Sequence, residues 1–176
     1  MRDPNGDTVV LPVSIEDALL EAARDRGVRP ALLVGLAWKE SSLLWWSAKF
    51  EPTYPYLWDV KANKPTRSEA VGSLGMVSQA TELAFQRTSW GLLQTMGAVA
   101  RELGFKEVLL SHLLDARLSA SYGAHLLANL LKRHNGDEAD ALSAYNAGSP
   151  TDANFASYVS PILKMAEIYR REKGQP

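Results

Sequence analysis

Apolar residues recur along most of the chain at the spacing of a buried helix face, in blocks broken by glycine, proline and capping side chains. Ile15, Ala18, Leu19, Ala22 and Ala23 mark the first such face, with Ser14 and Asp17 placed as its cap and Gly27 as its end. Pro30 suits the first turn of a second helix, which the pattern runs to about Ser41. Thr66 with Glu69 reads as a capping box for a short helix stopping near Gly75, and Ser78 can start another that reaches about Thr88. A helix from about Ala98 to Leu103 should close on Gly104 and apolar Phe105 in a Schellman-type end. Asp115 caps the longest helix, which ends at Asn135-Gly136, and Asp137 with Asp140 opens the next, closed by Gly148. Ile162, Met165, Ala166 and Tyr169 give the last helix one buried face, with Lys and Arg in its final turns.

Between these blocks the pattern loses its period. The stretch 43–65 mixes prolines with Trp45, Trp46, Tyr54, Tyr56 and Trp58, and reads as a long loop of the kind that is more often functional than idle. Positions 89–91 read as a turn, and the first dozen residues as a disordered or clinging arm. The only strand candidates are short ones near Val9–Val13 or within 54–60. The expectation is a mainly α-helical fold: an arm over 1–13, then one domain over 14–176.

Composition narrows the chemistry. The chain of 176 residues is long enough for a real core, and its net charge of -1 gives no footprint for nucleic acid. With no cysteine there are no disulfides, thiol nucleophiles or thiolate metal sites, and His112, His125 and His134 are scattered, so no metal and no cofactor are expected. No run approaches the roughly 18 apolar residues of a membrane span. The N-terminus lacks the pattern of a secretory signal, which predicts synthesis in the cytoplasm. A monomer is expected.

One carboxylate stands out. Glu40 continues the stripe of Leu33, Leu36 and Ala37 at i+7, i+4 and i+3, so it faces the core, while Lys39 points about 100° away. It also lies in the last helical turn, where the dipole disfavours negative charge. Both effects raise a carboxyl pKa and make a neutral proton donor, the state a glycosidase acid needs. The bland alternative is a helix-end glutamate turned to solvent.

Three further segments decide between them. Glu40-Ser41-Ser42 ends a helix, Gly91-Leu92-Leu93-Gln94-Thr95-Met96 follows a loop, and Ala144-Tyr145-Asn146-Ala147-Gly148 closes another helix. In this order, and with YVSPILKMAEIYR after them, they resemble the soluble lytic transglycosylases and the related goose-type lysozymes, over about Ile15 to Arg170. The resemblance implies a lysozyme-like helical domain with a cleft, acting on the glycan strands of peptidoglycan, with no nucleic acid or membrane as partner. By it, Glu40 protonates the glycosidic oxygen, Gln94 and Met96 line the cleft, Tyr145 bonds near the acid or the N-acetyl group, and Asn146 supports the site. Gly91 would let backbone approach the sugar, and Gln94 offers both donor and acceptor. Tyr145 also reads as a core aromatic, Met96 as core filling, and Asn146 as a helix-end cap. Trp90, beside Ser89 and Gly91, is the foremost candidate to stack on a sugar.

The implied reaction cleaves the bond between N-acetylmuramic acid and N-acetylglucosamine with formation of a 1,6-anhydro ring, and needs no second carboxylate. Goose-type hydrolases carry an aspartate two residues after the Gln, where this chain has Met96, which favours the non-hydrolytic reaction. Leu93 replaces the usual Met of that motif, and Gly97 stands where many relatives have Pro. The runner-up is a hydrolysing muramidase, for which Glu51 and Glu82 are the candidates for a second acid. A catalytically idle virion component is the rival from another class. Without a signal, action on the wall implies a phage-borne or phage-released enzyme, an endolysin or antimicrobial protein.

Overall fold

The run Ala31–Ala37 carries no polar side chain, and it becomes the centre of the molecule. In the computed structural model, which describes residues 1–174, it is the body of α2 (Pro30–Ser41) and is buried on every side. A helix apolar all round belongs inside a protein, so the one-sided stripe read from the sequence is only part of its packing. The last two positions of the domain expected over 14–176 lie outside the described residues.

Against α2 lies α7 (Ser160–Lys173), with Ile162, Met165, Ala166 and Tyr169 buried as expected. The two helices touch at backbone level. A Cβ on Gly35 would stand 2.6 Å from the Ile162 carbonyl oxygen, so only glycine permits this crossing. α1 (Val13–Arg26) packs on α2 and on the long α5 (Ala116–Arg133), and α6 (Glu138–Ala147) packs on α5. Asp115 and Asp137 cap α5 and α6 through their carboxylates, and Gly27 and Gly148 end α1 and α6 in the left-handed conformation, as the sequence predicts.

A smaller second core forms under α3 (Gln79–Gln86) and α4 (Gly97–Glu102). It contains Trp90, Ala100, Phe105, Leu110 and Leu113, the last two from a 3-10 turn over Leu110–Leu114. Phe105 N–H reaches the Ala100 carbonyl and Gly104 N–H the Arg101 carbonyl, which is the expected Schellman end.

The stretches without helical period hold short strands. β1 (Ala48–Phe50), β4 (Thr88–Trp90) and β5 (Thr95–Met96) make an antiparallel sheet in the order β1-β4-β5. β2 (Leu57–Asp59) and β3 (Lys64–Thr66) pair as a separate hairpin. Only β2 falls in a segment where a strand was expected. Val9–Val13 forms none, and the arm instead clings through an isolated Arg2–Thr8 bridge, with Met1, Val9 and Leu11 against the core.

Several local expectations are corrected. α1 starts at Val13 after Pro12, without a side-chain cap from Ser14. Thr66 opens no helix: it ends β3, and its hydroxyl accepts from Ser68 N–H in a bend. The expected turn at 89–91 is mostly strand β4. Among the described residues no helix is long and apolar enough to cross a membrane.

Candidate active site

The C-terminal end of α2 opens onto a cleft of about 520 Å³ between the β1-β4-β5 sheet and the end of α6. Glu40 is half-buried at its wall, together with Glu51, Ser89, Gln94, Met96, Tyr145 and Asn146. Burial raises the Glu40 pKa above the ordinary carboxylate value, opposed by a hydrogen bond from Tyr158 and by the charges of Lys39 and Lys49. Lys39, expected to point away, still acts on the acid at a distance.

Tyr158 donates its hydroxyl directly to Oε1 of Glu40. It lies in a π-helical turn over Phe155–Val159 that runs into α7, and is itself buried, with burial and the Glu40 charge pushing its own pKa well up. It therefore stays protonated and remains a donor. Tyr158 is not among the site residues expected from the sequence, although it stands four residues before Ile162 and so extends the buried face of α7 by one turn. A polar-tipped aromatic on such a face was the available signal.

Tyr145 lines the cleft with Glu40, and burial and then the Glu40 charge push its pKa well up. Its hydroxyl donates to the Leu93 carbonyl at 2.7 Å and lies 3.5 Å from the Thr95 hydroxyl, while its ring packs against the main core. The other motif residues act alike. Ser41 Oγ donates to the Leu92 carbonyl at 2.8 Å, and Gln94 Nε2 donates to the Gly91 carbonyl at 2.8 Å and to that of Ser47 at 3.1 Å. Gln94 Oε1 in turn accepts from Ser89 Oγ at 2.9 Å. Three consecutive carbonyls, at Gly91, Leu92 and Leu93, are thus each held by a side chain from a different motif position. Both amide protons of Gln94 are used internally, leaving spare acceptor capacity on Oε1 for a ligand.

Gly91 and Trp90 are corrected on the same grounds. Gly91 has φ +69°, and a Cβ there would meet the Leu113 carbonyl and Ser119 Oγ at 2.4 Å, so the glycine serves the packing of this turn onto α5 and not an approach to sugar. Trp90 is 6% exposed, donates its indole N–H to the Phe85 carbonyl and meets the Phe85 ring edge-on, so it has no face for a sugar. Exposed indoles occur at Trp45 and Trp46, packed edge to face.

The two candidates for a second acid separate. Glu82 is fully buried in a two-point ion pair with Arg101, at 2.8 and 2.9 Å, and is not on the cleft. Glu51 does line the cleft and pairs with Lys49 at 2.6 Å. Asn146 is exposed at the rim and accepts from Asn154 Nδ2 at 3.3 Å.

A mainly helical domain with a half-buried glutamic acid at the end of its central helix, facing a short antiparallel sheet across a cleft, defines the lysozyme-like class. Residues 56–160, more than half of the chain, match the model of the Transglycosylase SLT domain, and the chain belongs to that family. Among solved structures it is similar to an inactive mutant of the lytic transglycosylase Slt from Pseudomonas aeruginosa, with a TM-score of 0.63 and 18% identity over 94% of this chain. The chain spans about a quarter of that protein, 25% of its length. No curated protein matches it in sequence.

Proposed function

We propose that the chain cleaves the β-1,4 bond between N-acetylmuramic acid and N-acetylglucosamine in peptidoglycan as a lytic transglycosylase, with Glu40 acting first as acid and then as base. The observation that carries this reading is the half-buried Glu40 at the cleft, its pKa raised by burial, with a tyrosine hydroxyl as its hydrogen-bonding partner. Tyr158 occupies Oε1, which leaves Oε2 to carry the proton toward the substrate.

In the first step Oε2 gives its proton to the glycosidic oxygen as the C1–O bond breaks, with the substrate's N-acetyl group assisting. In the second, the 6-hydroxyl of muramic acid attacks C1, and its proton returns to the Glu40 carboxylate. The product is a 1,6-anhydro ring, no water is consumed, and the acid is regenerated. The Tyr158 bond favours the carboxylate between the two steps. The test is mass spectrometry of muropeptides released from purified sacculi. Anhydro products, absent with Glu40→Gln, are expected.

Glu51 supports a second reading, hydrolysis, because it lines the same cleft as Glu40. There it would activate a water facing the acid. Reducing-end products one water heavier, lost in Glu51→Gln, would establish that reading and sink the first.

A further inference from the structure

The buried ion pair of Glu82 and Arg101 lies off the cleft, but it sits at the foot of the structure that walls it. α3 leads through Arg87 into β4, and β5 leads directly into α4. The two helices are therefore the feet of the β4-β5 hairpin, which carries Ser89, Gln94 and Met96 to the cleft. The Thr88 hydroxyl donates to the Ala84 carbonyl at 2.9 Å, which fastens the start of β4 to α3. At the other foot a Cβ on Gly97 would stand 2.2 Å from the Phe85 carbonyl oxygen, so the two feet meet at backbone level.

Glu82 and Arg101 close this crossing. Nε and Nη2 of Arg101 donate to the two carboxylate oxygens, a planar two-point contact that fixes an angle between α3 and α4 as well as a distance. Arg101 Nη1 also donates to the carbonyls of Phe105 and Glu107, at 2.9 and 2.7 Å. Gln86 donates to Glu82 at 3.0 Å, and the same amide holds the N–H and the carbonyl of Trp58 in β2. Among the described residues no buried side-chain nitrogen or oxygen lacks a partner. A buried ion pair gains little net stability over apolar packing, because both charges give up their water. What a fully satisfied network does supply is one fixed arrangement.

We propose that Glu82 and Arg101 are positioning residues for the cleavage reaction, setting the β4-β5 hairpin, with Ser89 and Gln94, at its working distance from Glu40. The proposal rests on the reading of the Glu40 cleft as the place of glycan cleavage. The tip of the hairpin is held from two sides, by Ser41 of α2 on the Leu92 carbonyl and by Tyr145 of α6 on that of Leu93. The ion pair holds the foot. Neither side chain lines the cleft, so each acts only through the hairpin.

Glu82→Gln keeps the volume and the acceptor for Gln86, but turns an amide N–H toward Arg101 and breaks the two-point contact. Muropeptide release from sacculi, followed across sacculus concentration well below the Tm of each variant, tests the role. A misplacement of about 1 Å can cost about a hundredfold in rate, so kcat should fall by about tenfold for a partial shift. The alkaline limb of the pH profile, which reports Glu40, should stay in place. Tm should fall as well, because Arg101 is left charged and buried without its carboxylate; adding Arg101→Met removes that charge and should return Tm toward the wild-type value while kcat stays low. An unchanged kcat in Glu82→Gln, or one that recovers with Tm in the double variant, makes the pair a stability element alone and overturns the proposal. A displaced alkaline limb also overturns it, since the pair would then act on the proton of Glu40 and not on the hairpin. If the wild-type chain releases nothing from sacculi, the glycan reading falls and the proposal with it; release that Glu82→Gln leaves unaltered sinks the positioning role alone.

Discussion

Replacing Tyr158 by Phe removes one hydroxyl and leaves the buried ring in place, so it isolates the bond to Glu40. A hydrogen bond to a charged group contributes roughly 1.5–3 kcal/mol and one to a neutral group roughly 0.5–1.5. The bond therefore favours the carboxylate over the acid by about 1 kcal/mol, and one pKa unit corresponds to about 1.4 kcal/mol. Its loss leaves burial less opposed, and Glu40 holds its proton to higher pH. For an enzyme that must start protonated, the alkaline limb of kcat/KM reports this acid in the free protein. Tyr158→Phe should move that limb upward by somewhat under one pH unit and lower kcat by about tenfold, because the carboxyl loses its fixed orientation. The assay is turbidity loss of purified sacculi across pH, with Tm measured alongside. A limb that stays put, or moves down, refutes the assignment. A fall in Tm without movement of the limb would make Tyr158 a packing residue only.

The other predictions follow from the same geometry. Glu40→Gln should abolish release from sacculi and stabilise the fold at neutral pH by on the order of 1 kcal/mol, about 2–4 °C in Tm for a domain of this size. The sign follows from linkage: a carboxyl whose folded pKa is raised adds stability at low pH and loses it as pH rises through the folded value. The Tm difference should therefore shrink toward zero below the ordinary glutamate pKa, and an unchanged difference at acid pH would contradict the burial argument. Arg101→Met leaves Glu82 buried without its cation and should cost about 3–5 kcal/mol by denaturant unfolding, more than Arg67→Ala on the surface. Trp90→Ala should cost about 3–5 kcal/mol, as a buried aromatic does, while Trp45→Ala, 43% exposed in the wild type, should cost far less; the reverse order would restore Trp90 as a surface platform.

The helices were legible because each carries its own stop signals and a period long enough to count. Asp115, Asp137, Gly27 and Gly148 mark their termini correctly, and the buried face of α7 lies where its spacing places it. The sheet was not legible, since strands of two or three residues cannot display an alternation. Their pairing comes from distant segments, as when Ala48 of β1 meets Trp90 of β4. Thr66 and Glu69 fit a capping box by residue type, but the hairpin pairing of Thr66 with Leu57 won over local propensity. Glu40 could be found because a carboxylate on an apolar helix is costly. Trp90 misled because a tryptophan beside a glycine reads the same whether it meets sugar or Phe85.

The motif positions explain why the site was visible at all. Ser41, Gln94 and Tyr145 reach the carbonyls of Leu92, Gly91 and Leu93, so these side chains fix one turn against the end of α2 and the end of α6. A turn with both Gly91 and Gln94 at positive φ needs such bracing, since Gln94 at +46° bears a side-chain penalty that glycine escapes. The family match begins at residue 56, after the helix that carries Glu40, and includes this turn and Tyr145. Glu40 itself is carried by α2, which Gly35 lets sit directly on α7. α7 and the π-helical turn before it also deliver Tyr158 to Glu40. The helix that packs on α2 therefore also supplies the hydroxyl bonded to Glu40, and if Glu40 is the proton donor, loosening that contact should move the pH profile of sacculus turbidity loss before it lowers Tm.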